Sequence, residues 1–417
     1  MKNFGFRKLM IFIILSASVA LAYQLPYMRY TFYDQMAAAL QLTDTQMGLL
    51  ATALTFTNTL CYPIGGFFAE RFSMKKLICI TLAAYAALTA LFAFTTNFYI
   101  LIGIHVLYGF FGIATLWSAY LSGLRTLADE NNQSTIFGSS EATRGVLQTI
   151  TAFAFLGIMN VAATPILGFK LVMLAGAGFT GIFLILALIF LPKEGVQEEG
   201  AADDVKYTLK DVLKNKGVWL TIWVIMCAYV SWTLGNGYLT TYTVRVLNVS
   251  QSVASTIGVV RSYVIVFLAG FIGGWVLDRF SYKGKGFFLL FSAVIVTCAA
   301  IMLTSKAVAV SIGLTLLLAF LANVMKSTYW SIMGQAGIPL KMTAIATGII
   351  SFIAFIPDFI VPTLCGVWLD AATAAGNVTL GFNKIFLLLI GFSVVGLIGA
   401  ALLTKQTKSL EKAKATE

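Results

Sequence analysis

The feature that most constrains this chain is a set of long apolar runs with no polar stripe. Residues 9–22 (LMIFIILSASVALA), 178–191 (GFTGIFLILALIFL) and 385–403 (IFLLLIGFSVVGLIGAALL) offer no face that could meet water. A helix rising 1.5 Å per residue needs about 20 such residues to cross ~30 Å of hydrocarbon. Along the whole chain such runs predict twelve spanning helices. They lie at roughly 9–36 (α1), 45–69 (α2), 77–95 (α3), 98–122 (α4), 134–159 (α5), 166–192 (α6), 217–243 (α7), 253–277 (α8), 286–305 (α9), 307–333 (α10), 343–368 (α11) and 384–404 (α12). Basic Lys2, Arg7 and Lys8, followed by an apolar stretch ending in small residues, imitate a signal peptide. The stretch is read as α1, because without it eleven spans remain and the repeat described below is broken.

The chain has 28 basic and 17 acidic residues, a net charge of +11 that in another setting would suggest nucleic acid. Only 11% of its residues are charged, against about a quarter in soluble proteins, so their placement decides. With the N-terminus inside, 20 basic residues fall in cytoplasmic segments and 4 (Lys170, Arg245, Lys306 and Lys384) on the opposite side. This is the positive-inside asymmetry. It predicts a multi-pass protein of a cell (inner) membrane with both termini cytoplasmic, surrounded by lipid, and excludes nucleic acid as a partner. The five cysteines are scattered through apolar runs with no CxxC pair, and the single histidine, His105, removes any multi-histidine metal site. With no nucleophile–base motif either, an enzyme is excluded, no cofactor or metal is expected, and the chain is expected to be a monomer.

The sequence also repeats itself. GFFAERFSMKK (Gly66–Lys76) returns as GWVLDRFSYKG (Gly274–Gly284), with Glu70/Asp278, Arg71/Arg279 and Lys75/Lys283 each 208 residues apart. Both copies follow the second helix of their half. The fold class expected is therefore an all-α membrane protein of two pseudo-symmetric six-helix bundles. They cover 1–192 and 217–417, the latter with a short basic tail, and are joined by a polar cytoplasmic linker over 193–216.

The doubled pattern G-x-x-x-[DE]-R-x-x-x-[RK] resembles the signature loop of the major facilitator superfamily. Two departures are Glu70 where the family usually has Asp, and Ser73 and Ser281 where it usually has Gly. The resemblance implies the family's fold of parallel six-helix repeats. It also implies that Glu70, Arg71, Asp278 and Arg279 act as a conformational latch that breaks as the halves rock. Within the superfamily, YMRYTF (Tyr27–Phe32), NKGVW (Asn215–Trp219) and the stretch Met333–Pro362 are similar to the organophosphate and sugar-phosphate permease-like, organic-anion branch. Those antiporters carry a second arginine in α7, where Trp232 or its neighbour stands here. Helix α5 lacks the signatures of drug/proton antiporters and nitrate porters.

Four basic residues fall inside spans, Arg29, Arg144, Arg261 and Lys326, against the acidic Glu141 and Asp358. A charge in hydrocarbon costs several kcal/mol, roughly 3–15, and so faces a cavity or a partner. A surplus of two positive charges favours an anionic substrate. Arg29, beside Tyr27 and Tyr30, with Arg261 and Lys326, are expected to converge on one central cavity between the halves as substrate contacts. Asn323 shares the Lys326 face of α10. Trp232, Asn236 and Thr240 line one face of α7, and Trp117 sits in the middle of α4; these can stack on a sugar or merely pack. Glu141 and Arg144, three apart on α5, are expected to pair locally as a gate or structural ion pair, with contact to substrate as the alternative. Asp358, between Pro357 and Pro362, serves either as a proton carrier or as a fixed partner for Lys326 or Arg261.

The function expected is a secondary active transporter. It would move a small organic anion (a sugar acid, sugar phosphate or carboxylate) by alternating access, as a proton-coupled symporter or as an antiporter. A lipid, lysolipid or drug exporter of the same fold is the first alternative, and a transporter-like ligand sensor the second.

Overall fold

The computed structural model describes residues 5–127, 133–192, 208–339 and 342–416. All regular elements among them are helices, ten of them long and apolar enough to cross a membrane. The other two spans are α2 (Asp44–Arg71), capped by a reciprocal Thr43–Gln46 capping box, and α11, which is broken. In α11 the pieces are Thr343–Ala354, a tight turn Ile356–Phe359 and Val361–Ala374. Pro357 and Pro362, lacking N–H groups, interrupt the helical ladder there.

Two other spans are broken as well. Helix α1, expected to be continuous over 9–36, runs Phe6–Gln24 and then Arg29–Leu40. Pro26 sits in the gap, where it cannot donate to the Ala22 carbonyl. The Tyr85 Oη lies 3.5 Å from that carbonyl. Asp34, already within the span expected over 9–36, lies in the second piece; counted with Glu141 and Asp358 it makes three acidic residues at span depth and lowers the positive surplus from two to one. Helix α7 breaks at Tyr238 into Lys216–Gly237 and Leu239–Arg245. Helix α4 holds a wide π-type turn over Phe111–Trp117, and α8 holds one over Val260–Val264. Such turns concentrate at functional sites, and these two contain Trp117 and Arg261. The tail expected after α12 is helical too: α12 spans Val378–Thr416. Its end is held by Thr407 Oγ1 donating to the Gln335 carbonyl (3.0 Å) and by the Tyr282 hydroxyl donating to Glu411 (3.0 Å).

The chain divides into two compact units, Met1–Ala201 and Ala202–Glu417. In the first, α1 packs on α5 and α6, α2 on α4, and α3 on α4 and α6. In the second, α7 packs on α11 and α12, α8 on α10, and α9 on α10 and α12. The pairings correspond one for one. Glycines 208 residues apart mark it: a Cβ on Gly65 would lie 2.9 Å from the Ile113 carbonyl, and one on Gly273 would lie 2.9 Å from Val324. Each lets the second helix of its half close on the fourth. Polar seams also correspond. Between α1 and α5, Ser16 bonds Ser140 (2.7 Å), Gln24 donates to the Gln148 carbonyl, and Gln148 to that of Ala20 (3.0 Å each). Between α7 and α11, Thr233 donates to Asp358 (2.9 Å) and Tyr238 to the Pro362 carbonyl (3.1 Å). Within an apolar bilayer such bonds replace the hydrophobic effect as a source of specific helix contact.

Candidate substrate-binding site

In the first unit the tyrosines of α1 form a continuous aromatic surface in spite of the break. Tyr23 and Tyr27 stack with centroids 6.3 Å apart, and Tyr27 lies 5.6 Å from Tyr30. Trp117 meets Tyr23 edge to face at 6.0 Å and lies 5.8 Å from Tyr120, whose hydroxyl bonds Ser140. Asn58 of α2 donates to the Tyr27 hydroxyl (3.0 Å). Arg144 and Glu141 pair as their spacing predicts, at 2.5 Å, with the Arg144 guanidinium 5.9 Å from the centre of the Tyr23 ring.

In the second unit the residues singled out on α7 and α10 come together. The Lys326 ammonium sits 3.6 Å from the centre of the Trp232 ring. The Trp232 indole N–H donates to Asn323 Oδ1 (3.0 Å). Asn323 Nδ2 approaches Asn236 Oδ1 at 3.4 Å, and Asn236 donates back to the Trp232 carbonyl (2.9 Å). The result is a fixed indole plate with two amides at its edge and a cation on its face. Lys326 is half-buried. It lies nine residues, half a turn in angle, from the exposed Leu317 of the same helix, which points it away from the apolar surface. Asp358 is buried and receives the Thr233 bond across the α7–α11 seam.

The two remaining cations are sealed. Arg29 is 5% exposed and donates to the Met47 carbonyl (3.2 Å), with Tyr30 and Tyr33 rings 5.9 and 5.6 Å from its guanidinium. Arg261 is fully buried and donates to the Thr240 hydroxyl on the outer piece of α7. His105 is buried and bonds the Leu101 carbonyl of its own helix (2.8 Å), between Phe92 and Tyr108. Several contacts are made around the loop residues read as a latch. Lys75 donates to the Leu188 carbonyl at the end of α6, Lys283 pairs with Asp278 at 3.6 Å, and Gln335 bridges Ser281 and Lys283. Ser73 caps the start of α3. The backbones of Arg71 and Arg279 are described, whereas the Glu70 side chain falls outside the described residues.

Tyr120 belongs to the aromatic surface of the first unit and Tyr229 to the Trp232 cluster of the second, and neither is singled out by the sequence. Tyr229 packs on Trp232 (5.5 Å) and Phe355 (4.1 Å). A signal for Tyr120 was present. Trp117-Ser-Ala-Tyr120 aligns with Lys326-Ser-Thr-Tyr329 at 209 residues, the same distance that separates Tyr23 from Trp232. The Tyr23–Trp117 and Trp232–Lys326 contacts are thus equivalent pairs, one aromatic on aromatic, the other aromatic on cation.

Residues 9–362 match the profile of the Major Facilitator Superfamily. The chain is 25% identical over 388 residues to the inner membrane protein YqcE of Escherichia coli (strain K12), covering 90% of each, and 23% identical to the inner membrane protein YihN of the same organism, covering 97% of each. Among solved structures it is similar to a bacterial homologue of the human lysosomal transporter Spinster, inward-facing and unoccupied (TM-score 0.74, 14% identity, 98% of this chain and 99% of that one). It is also similar to the nucleoside transporter NupG (TM-score 0.74, 15% identity, 96% and 99%). The relatives, the doubled loop and the paired six-helix packing agree: this chain is a multi-pass membrane transporter, not an enzyme, and belongs to the Major Facilitator Superfamily.

Proposed function

We propose that the protein moves a small organic anion bearing hydroxyl groups, a sugar acid, sugar phosphate or hydroxy-carboxylate, by proton-coupled transport or exchange. The observation that carries this reading is the Lys326–Trp232 pair with Asn236 and Asn323 beside it. An ammonium at span depth is stabilised when an anion joins it, and charge-assisted bonds are the strong ones in a site of low polarity. The indole plate and the two amides suit the faces and hydroxyls of a sugar-like body. A large apolar cavity for lipid or drug has no need of such a set. The resemblance of Tyr27–Phe32 and Met333–Pro362 to the organic-anion branch supports the same reading.

The test is a thermal-shift screen of the purified protein against sugar acids, sugar phosphates and short carboxylates, with uncharged sugars and nucleosides alongside. Stabilisation by one class of anion, lost in Lys326→Gln, is the result expected. Stabilisation by a neutral solute to the same extent in wild type and Lys326→Gln contradicts it.

A further inference from the structure

Of the four cations at span depth, two are closed off and two are reachable. Arg29 and Arg261 are 5% and 0% exposed, whereas Lys326 is half-buried and the Arg144 side chain is 26% exposed. The sequence put Arg29 forward in the first half, and the structure directs attention to Arg144.

Helix α5 (Gln133–Val161) has two stripes. Glu141, Arg144, Gln148 and Thr151, spaced 3, 4 and 3, form one side, and Gln148 and Thr151 bond α1 through Ala20 and Gln24. Val146, Ile150 and Phe153 form the other, each more than 40% exposed. The stripes are offset by about two residues, roughly 200° around a helix of 3.6 residues per turn. The exposed apolar stripe suits lipid, and Glu141, 49% exposed, lies on the opposite, polar side. The ion pair therefore stands on the polar face of the span, partly open, with its guanidinium against the Tyr23 ring. That ring is flanked by Trp117, and Tyr120 completes the patch. Among the described residues, Tyr23 and Tyr120 are titratable groups that other helices bring to the pair, and both are phenols.

A half-exposed pair between residues three apart on one helix is weak. Burying a lone guanidinium at this depth is costly. A weak internal partner is what a binding arginine needs: enough to hold it in place when the site is vacant, too little to resist a better anion.

We infer that Glu141 is a built-in stand-in for substrate at Arg144, displaced when the carboxylate or phosphate of the incoming anion takes its place on the guanidinium. This rests on the anion reading proposed above and adds to it a second anion contact, in the first unit, with its own internal competitor. A pair that merely neutralises charge on α5 would show no such competition.

The experiment measures binding of gluconate, glucose 6-phosphate and pyruvate to the purified full chain by calorimetry, in wild type, Glu141→Gln, Arg144→Gln and Arg144→Lys. Removing the competitor is expected to tighten the anion that binds by about two- to fivefold, the factor matching the strength of an exposed pair. Arg144→Gln is expected to weaken it about tenfold or more. Arg144→Lys, which keeps the charge and loses the forked geometry, falls between. Unchanged or weaker binding in Glu141→Gln, or unchanged binding in Arg144→Gln, overturns the inference and leaves the anion reading intact. If Arg144→Gln does not fold, Glu141→Gln decides alone. If none of the three anions binds the wild type, it is the anion reading that fails, and this inference with it.

Discussion

Lys326 and Arg261 show how differently two cations at similar depth are handled. Lys326 is laid on an indole face and remains half-buried, while Arg261 is enclosed and bonded to Thr240. Spacing puts Trp232 and Asn236 on one face of α7 and Asn323 and Lys326 on one face of α10, because those faces are regular helix, but that the two faces meet is not contained in the spacing. Spacing does not show that Arg29 is sealed while Arg144 stays partly exposed. Their difference is one of exposure, set by what the neighbouring helices cover, and a single helix carries no record of that. Close backbone approach is equally invisible in sequence. Gly217 begins α7 where a Cβ would stand 2.1 Å from the Ala336 carbonyl, a backbone atom that cannot swing aside. Gly217→Ala is expected to destabilise the second unit by about 1–3 kcal/mol through overpacking, read as a lowered melting temperature in detergent. An unchanged melting temperature would show that the loop at Ala336 yields freely.

Breaks interrupt several of the helices that carry candidate site residues. The interruption of α11 was legible from Pro357 and Pro362, and the structure splits the helix there. That of α7 at Tyr238 carries no proline and follows Gly235-Asn236-Gly237, a run of low helix propensity that marks it more weakly. The extension of α12 to Thr416 was also missed, because its last turns leave hydrocarbon and lose the apolar run while Thr407 and Glu411 still anchor them. The α7 and α11 pieces are joined by the Thr233–Asp358 bond, made in the buried interior. Thr233→Val keeps the shape and removes the donor, leaving a carboxylate oxygen short of a bond at a cost of about 1–3 kcal/mol. A fall in thermal stability of that size, with no fall in Asp358→Asn (which keeps an acceptor), is the result expected. Equal loss in both variants would assign Asp358 a role as charge rather than as acceptor.

At the scale of the molecule, the repeat was the most legible feature, since its loops preserve residue type across 208 positions. The matched packing of α1–α6 and α7–α12, each within its own unit, expresses it in three dimensions. The site diverges where the scaffold repeats: Tyr23 on Trp117 in one half corresponds to Trp232 on Lys326 in the other. The most direct test is uptake into proteoliposomes of labelled gluconate and glucose 6-phosphate, with labelled glucose and uridine as neutral comparisons, for wild type and Lys326→Gln. An anion should accumulate while the neutral solutes do not, and Lys326→Gln should slow its uptake at low concentration by about ten- to hundredfold, the worth of a charge-assisted bond of roughly 1.5–3 kcal/mol. Transport of glucose or uridine at equal rates by wild type and Lys326→Gln would contradict the account.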